Sequence, residues 1–544
     1  MNIVSIKSGF KKIEPYFPFL IIFLVSFIPS VWLFRNNYFF NSHENFFPMM
    51  RLYELHQNIL QGYFPPRWEP NMVGGFGYPF FDFYAPFSYW LAEIFHLLGF
   101  GLIWSVKLTF FVGIFISGLG MYLLVLNLFK HKLAALASAL VYMTFPYHLI
   151  DIYTRGNLAE ATVFAILPFC LLAFYKLIKE PQIKYLILSG FTLALIFLTH
   201  NITGLYFLPI LIAWLVFWVA KTKNWSKFHL VLIALLVGFL LSAFFVVPAL
   251  LDKKFVRTED MIQLWTLPLS FIFSNIGKTE NFDFLKSQTT TWQWLLVLIS
   301  FGSVFFVKRV AKYKSLIIFL TALLLIIIFF VSNWSKFIWD SLPNFFLYIQ
   351  YSYRLLIFFS FLFAILIGFS IKVFEKQKII IFLILLLVAF FVFKDSYRFR
   401  GLSYSTLRDK NITPQFSWNW DKTWGPLGNT AQSEYLPTWV SRDKFDHRTD
   451  GEGKLNYEKD FNLQTAQEIS FNTIYFPGWK AKINGQSLEI KTDDNGFIQV
   501  LVPAGPSRVE VYFSETPLRL ACDLISLVTV IVCLALLGLK IGKN

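Results

Sequence analysis

The sequence predicts a mainly α, polytopic membrane protein with about twelve spanning helices and a small β-domain ahead of the last one. Three observations carry this prediction. The 544 residues are 56% hydrophobic and only 15% charged, with a mean hydropathy of +0.56, a balance foreign to ordinary soluble domains. Apolar runs of roughly 17–25 residues recur along the chain, the length that crosses a hydrocarbon core of about 30 Å. The net charge of +15 is also unevenly placed, with Lys and Arg gathered in short loops between the runs. That distribution orients spans in a membrane and argues against nucleic acid as a partner.

Phe17–Phe34 is the first span, and Lys7, Lys11 and Lys12 ahead of it read as the cytoplasmic flank of an uncleaved signal anchor. Residues 35–103 form an outer loop whose stretch 87–100 is apolar enough to lie along the interface. Spans at 104–129 and 133–149 follow. A fourth returns to Lys176 and Lys179, a fifth surfaces at Thr199-His200-Asn201, and a sixth goes back to Lys221. The seventh, 229–250, opens into an outer loop, 251–291. The eighth returns to Lys308 and Arg309, the ninth exits near Ser332, the tenth follows Arg354, and the eleventh exits near Lys394. Every even-numbered return lands among lysines, so both termini are expected in the cytoplasm, with the site loop and β-domain on the opposite side of the membrane.

The chain thus divides into a transmembrane domain (1–394), a connector with little regular structure (395–464), a small antiparallel β-domain (465–516) and a C-terminal span (517–544). Alternating runs such as Arg508-Val509-Glu510-Val511-Tyr512, with Asn484-Gly485 and Asn495-Gly496 between them, predict the strands and their hairpin turns. Cys170, Cys522 and Cys533 all sit in apolar runs and form no disulfide framework or metal spacing.

Ionisable residues cluster at the outer ends of spans, where burying charge is costly. Glu44, directly after His43, follows the first span. A carboxylate there could act as general base on an acceptor hydroxyl, or hold a divalent cation such as Mg or Mn against a phosphate. The plainer alternative pairs Glu44 with Arg51 or Arg67. Asp82 is the second candidate carboxylate, or else a turn residue among Pro and aromatic neighbours. Arg155 precedes Asn157, a candidate N-cap, in a setting that suits an anion. Arg155, Arg354 and Arg51 all offer guanidinium geometry for phosphate, although Asp151 or Glu160 could simply neutralise Arg155. His148, Glu160, His200, Asn201, Arg67 and Tyr78 are the expected pocket residues. Gly74-Gly75-Phe76-Gly77 has no following Lys-Ser/Thr pair, so it is read as tight turns and not as a phosphate loop.

Certain stretches together resemble a known family. They are His43-Glu44, Gly62-Tyr63-Phe64-Pro65-Pro66-Arg67-Trp68, Gly75-Phe76-Gly77-Tyr78-Pro79, Phe83-Tyr84-Ala85-Pro86, Pro146-Tyr147-His148, Arg155-Gly156-Asn157-Leu158-Ala159-Glu160 and Thr199-His200-Asn201. The family is the bacterial integral-membrane group labelled "6-pyruvoyl-tetrahydropterin synthase-related", which is similar to GT-C glycosyltransferases. The C-terminal Tyr475-Phe476-Pro477-Gly478-Trp479 stretch is similar to YfhO-like membrane proteins. The pterin label evokes a soluble zinc enzyme with a His triad, and the sequence supplies none. The chain departs from the family pattern at Glu44, where Asp is usual, and at Pro48, where a second His is expected. The resemblance implies a GT-C-like domain and inverting transfer of a sugar from a polyprenyl-phosphate donor to a glycan, lipid or protein acceptor of the cell envelope. It makes Glu44 the base or metal ligand and Arg51, Arg155 or Arg354 the donor-phosphate ligand; His43 and Asp82 stand beside Glu44 as catalytic candidates from the residues themselves. Two other classes compete. A transporter or flippase for a lipid-linked glycan predicts midplane charges and related halves. A non-catalytic scaffold for envelope assembly predicts lipid binding without turnover.

Overall fold

The computed structural model describes residues 16–262, 266, 302, 308–398, 403–414, 416, 434–441 and 451–541. The apolar runs fold as helices at the expected places, and the expected outer loop holds one helix that was not expected, α2: α1 Phe17–Phe34, α2 Phe47–Leu60, α3 Phe87–Leu97, α4 Leu102–Phe129, α5 Lys132–Met143, α6 Pro146–Ile150, α7 Leu158–Lys179, α8 Ile183–Thr199, α9 Asn201–Thr222, α10 Phe228–Leu251, α11 Lys314–Val331, α12 Leu356–Val373, α13 Lys378–Arg398 and α14 Pro517–Ile541. Ten helical segments among the described residues are long and apolar enough to cross a membrane, and α8 is a shorter apolar helix. The expected eighth span, most of the loop 251–291 and the middle of the connector lie outside the described residues.

The chain forms two units. The first comprises Met1–Asn45, Lys107–Gly238 and Gln263–Ser405; the second comprises Phe46–Val106, Phe239–Ile262 and Thr406–Asn544. The expected site loop is therefore divided at Asn45. Only its first residues belong with the spanning helices of the first unit.

In the first unit, α12 is the central helix, buried along its length apart from Lys372. It packs on a small-residue face of α5 built from Ala134, Ala135, Ala137, Ser138 and Ala139. Gly368 permits the approach, because a Cβ there would run into Ser138 Oγ and stand 2.9 Å from the Ala134 carbonyl. Small residues serve this purpose between helices in lipid, where close backbone contact replaces the hydrophobic drive. Gly120 brings α4 against α7 in the same way, since a Cβ there would run into the Phe169 ring. Helices α1 and α13 instead leave Leu24, Val31, Phe382 and Phe393 exposed, as a lipid-facing surface requires.

The second unit contains a β-sandwich. One sheet has the order β1-β7-β3-β4, with β1 Asn456–Leu463, β3 Trp479–Ile483, β4 Gln486–Leu488 and β7 Gly505–Phe513. The other has the order β2-β6-β5, with β2 Gln467–Ile474, β5 Lys491–Thr492 and β6 Phe497–Val502. All pairings are antiparallel. Alternation turns Val509, Val511 and Phe513 inward against Phe471, Ile498 and Val500. Asn484 and Gly485 take positive φ (47° and 82°) at the β3–β4 turn, as an Asn-Gly hairpin demands.

The connector expected at 395–464 is not irregular throughout, because its end is strand β1. That strand pairs with β7 from Asn456↔Tyr512 to Leu463↔Gly505. It is an edge strand in which Tyr457 alone is buried, so its sequence carries almost no apolar alternation. The Gly74–Gly77 run docks on this sandwich. Thr473 Oγ1 donates to the Phe76 carbonyl (3.0 Å), Ile474 N–H donates to the same oxygen (2.8 Å), and the Phe76 ring stacks on Phe497 at 4.9 Å. Gly77, at φ +88°, lies flat on Trp68, where any Cβ would overlap the indole. The glycines are turn and contact residues, as expected of them.

Candidate functional site

The first unit gathers most of the predicted polar residues into one cluster where α6, α7, α9 and α12 end. Residues Asp151–Arg155 continue α6 as a π-helical turn, which Gly156 closes in the left-handed region (φ +68°). Asn157 then caps α7, its Oδ1 accepting from Glu160 N–H at 2.9 Å. A π turn followed at once by a capped helix start aims both Arg155 and Glu160 inward.

Arg155 Nη1 donates to Glu160 Oε2 (2.7 Å), to Asp151 Oδ1 (2.5 Å) and to Tyr147 Oη (3.2 Å), while Tyr147 Oη donates to Glu160 Oε1 at 2.6 Å. Arg354 joins through Nε, 3.6 Å from Glu160 Oε2. The guanidinium of Arg155 lies over Tyr353 and that of Arg354 over Tyr351, two rings that stack at 5.1 Å. His200 caps α9, with Nδ1 against Thr203 Oγ1 at 2.7 Å and accepting from Thr203 N–H. Asn201 opens that helix, its Oδ1 accepting from Ile202 N–H. His148 stacks on Phe164 at 4.1 Å, nearly parallel, and is fully buried.

Two guanidinium groups thus face two carboxylates. The balance is not fully used: Arg354 Nε and Nη1 and Asp151 Oδ2 are buried without a hydrogen bond. Such groups are costly unless something else meets them. Arg354 is therefore the cation with capacity left for an incoming anion.

His43 and Glu44 reach this cluster by main-chain pairing. His43 N–H donates to the Thr154 carbonyl and Glu44 N–H to the Arg155 carbonyl, each at 2.9 Å. Ser42 Oγ accepts from Asn45 N–H at 3.0 Å and fixes the bend that follows. Glu44 is half-buried and His43 exposed.

The other predicted residues belong to the second unit, and each has a structural partner there. Asp82 is fully buried, with Oδ2 3.0 Å from Arg519 Nη2 and Oδ1 3.5 Å from Arg67 Nη1. Arg67 also binds Glu515 (3.1 Å), Asp523 (2.8 Å) and the Phe244 carbonyl (3.0 Å). Arg519 is held further by Asp252 at 2.9 Å. Tyr78 is buried and its Oη accepts from Tyr435 N–H at 2.8 Å. Arg51 lies among the rings of Phe80 (4.7 Å), Tyr84 (5.0 Å) and Phe47 (5.6 Å), with Nη1 3.3 Å from Tyr89 Oη. Asp82, Arg67, Tyr78 and Arg51 are thus engaged within the second unit by ion pairs, hydrogen bonds and ring faces.

Two carboxylates of the second unit were not among the expected site residues. Glu54 and Glu69 are both fully buried. Burial pushes the Glu54 carboxyl up to about 8, against a smaller opposing effect of hydrogen bonds from Asn71. Burial, aided by the charge of Glu54, raises Glu69 well above the usual carboxylate range, although its Oε2 accepts from Phe81 N–H at 3.2 Å. The signal was present in α2: Phe47, Arg51, Glu54, Leu55 and Asn58 recur on one buried stripe.

Comparison with known proteins adds a family. The model of a 6-pyruvoyl-tetrahydropterin synthase related domain, described as a membrane protein, matches residues 81–401, more than half of the chain. The chain belongs to this 6-pyruvoyl-tetrahydropterin synthase-related family of membrane proteins. An uncharacterized protein of Lactococcus lactis subsp. cremoris (strain MG1363) is 28% identical over 336 residues, which cover 56% of this chain and 52% of that one. The chain thus spans about half the length of the curated relative it matches. Among solved structures, it is similar to the mycobacterial arabinofuranosyltransferase AftD (12% identity, TM-score 0.48, 71% of this chain and 26% of that one). It is also similar to ArnT from Cupriavidus metallidurans, solved bound to undecaprenyl phosphate (14% identity, TM-score 0.39, 77% and 70%). The zinc-holding triad evoked by the 6-pyruvoyl-tetrahydropterin synthase-related label has no counterpart among the described residues. No group of three or more His, Cys, Asp or Glu side chains is placed there to hold a metal ion.

Proposed function

We propose that the chain is a membrane glycosyltransferase that moves a sugar from a polyprenyl-phosphate donor to an envelope acceptor, with inversion, at the outer face of the cytoplasmic membrane. The observation that carries this reading is the pairing of residues 43–44 with 154–155. It ties the main chain of Glu44 to that of Arg155, and in the cluster around Arg155 the Nε and Nη1 of Arg354 make no hydrogen bond. Base and anion ligand are the two groups such a displacement needs. The Glu44 carboxylate takes the proton of the acceptor hydroxyl as its oxygen attacks the anomeric carbon. The bond from that carbon to the phosphate oxygen breaks, and the lipid phosphate departs carrying the electron pair. Arg354, with Arg155 behind it, meets the charge that grows on the leaving phosphate. Tyr147, Asp151 and Glu160 hold Arg155 in place, and His148 and His200 shape the surroundings. The β-sandwich is assigned to acceptor guidance.

The test is consumption of a panel of undecaprenyl-phosphate-linked sugars by membranes carrying wild type, Glu44→Gln or Arg354→Ala, assayed with Mg²⁺, with Mn²⁺ and with EDTA. Consumption by wild type and its loss in folded Glu44→Gln is the expected result. Full transfer by Glu44→Gln refutes the assignment. Binding of undecaprenyl phosphate with no sugar consumed by any form moves the reading to a scaffold or flippase.

A further inference from the structure

We infer that the segment 333–347, between α11 and α12, is a lipid-inserted wedge: a rigid aromatic surface that enters the headgroup layer beside the candidate site. Four large rings of this short stretch face outward. Trp334 is 65% exposed, Phe337 67%, Phe345 43% and Phe346 37%. Large apolar patches of this kind mark a binding surface and not a solvated loop.

The segment presents those rings from a braced frame. Trp339 is buried, donates from Nε1 to the Phe330 carbonyl (3.0 Å) and packs on the Phe330 ring at 5.6 Å. Ser335 Oγ donates to the Ser332 carbonyl (2.9 Å), and Ser352 Oγ donates to the Val331 carbonyl (2.9 Å), closing the far end. Tyr206 of α9 donates to the Phe346 carbonyl. In the helical turn Lys336–Trp339 the Trp339 ring is thus held in, and in the turn Asn344–Leu347 the Phe346 backbone is pinned, while Phe337, Phe345 and Phe346 turn their rings out.

A membrane is the occupant that the surroundings favour over a protein. The patch is continuous with a lipid-facing helix: Phe337 lies 6.4 Å from Phe329, and Leu325 and Ile326 on the same α11 are exposed. Between Ser332 and Tyr353 the only charges are Lys336 and Asp340, which pair with each other at 2.7 Å. The segment therefore enters the headgroup layer without carrying net charge, and Trp is the side chain most at home at that depth. Immediately beyond it, Tyr351, Tyr353 and Arg354 belong to the cluster around Glu160. The wedge thus fixes that cluster at headgroup depth, where a phosphate on a lipid would lie. The insertion itself does not depend on the transferase reading.

The experiment uses the full chain with Cys170, Cys522 and Cys533 replaced by Ala, reconstituted in nanodiscs of phosphatidylethanolamine and phosphatidylglycerol. A nitroxide is placed in turn at positions 337, 345 and 340 (Phe337→Cys, Phe345→Cys, Asp340→Cys), and size exclusion verifies the fold of each variant. Labels at 337 and 345 should relax with dissolved oxygen and be shielded from a water-soluble nickel chelate, at a depth of about 5–10 Å below the interface. The label at 340 should show the reverse. If 337 and 345 are as open to the chelate as 340, the wedge does not insert. If they are shielded but show dipolar broadening between identical labels, the patch faces a second copy, and the inference is equally overturned.

Discussion

Replacing Gly156 by Ala should detach Glu44 from the arginine cluster, and the sizes of the opposing terms can be worked through. Gly156 sits at φ +68°, where an alanine costs about 1–2 kcal/mol. A Cβ there would also overlap Ser42 Oγ and come within 3.0 Å of Ser42 Cβ. Ser42 yields only by giving up the bond its Oγ accepts from Asn45 N–H, worth about 1 kcal/mol. Keeping the native arrangement therefore costs about 2–3 kcal/mol. The two main-chain bonds that hold residues 43–44 to 154–155 contribute about 0.5–1.5 kcal/mol each, so detachment wins or comes close. Hydrogen–deuterium exchange of the peptide carrying His43 and Glu44 measures this directly. Its amides should exchange some 10- to 100-fold faster in Gly156→Ala, since 1.4 kcal/mol is a factor of ten, and sugar transfer should fall with them. Ser42→Gly added to Gly156→Ala removes both close contacts and leaves Glu44 Cβ as the next neighbour at an ordinary 3.7 Å, so about 1 kcal/mol, or roughly fivefold, of the lost protection should return while the left-handed cost stays. Unchanged exchange in Gly156→Ala, or no recovery in the double variant, would sink the reasoning. Faster exchange with unchanged transfer would leave the geometry standing and remove Glu44 from the chemistry.

Two further predictions concern the second unit. Asp82→Asn removes the carboxylate shared by Arg67 and Arg519, and breaking a buried pair costs about 3–5 kcal/mol. The variant should melt earlier, while its folded fraction transfers sugar at the wild-type rate; selective loss of turnover at an unchanged melting temperature would restore Asp82 as a catalytic candidate. The folded-state value of Glu54, about 8 against an ordinary 4.5, means that the folded chain holds a proton which the unfolded chain has lost. That stabilisation is complete below about 4.5 and fades as pH rises through 8, with a ceiling of about 5 kcal/mol. The melting temperature in detergent should accordingly drop between pH 5 and pH 8, and Glu54→Gln should flatten that slope; equal slopes in the two proteins would refute it.

The spans were legible because crossing a bilayer demands length and apolarity, properties that a single segment carries by itself. The cap at Asn157 and the helix 87–97 were legible for the same local reason. The fates of Arg67, Asp82 and Tyr78 were not, because their partners Asp523, Arg519 and Tyr435 lie hundreds of positions away. In the sequence all three look like His43, Glu44 and Arg155: polar residues among Pro, Gly and aromatics. Strand β1 escaped because an edge strand with one buried tyrosine has no alternation to read. The central place of α12 was equally hidden, since a helix apolar on every side looks the same whether lipid or protein surrounds it.

What separates the two groups of charged residues is how much hydrogen-bonding capacity each fold leaves over. A guanidinium has five N–H donors. In the second unit, Arg67 meets three carboxylates and a carbonyl, and Arg519 meets two carboxylates and the Pro477 carbonyl. An arriving anion would have to displace partners already in contact with these arginines. In the first unit Arg155 is similarly engaged by Asp151, Glu160 and Tyr147. Arg354 is instead held by one ion pair at 3.6 Å and a ring face, with two nitrogens unmet. On the proposed reading an anion would gain most at Arg354, while Arg155, fixed by its own carboxylates, carries on its main chain the carbonyl that accepts from Glu44 N–H. One short turn, 154–156, thus links the carboxylate to the guanidinium cluster. A change at Gly156 should therefore reach the chemistry through Glu44, and the ion pairs that hold Arg155 should survive it.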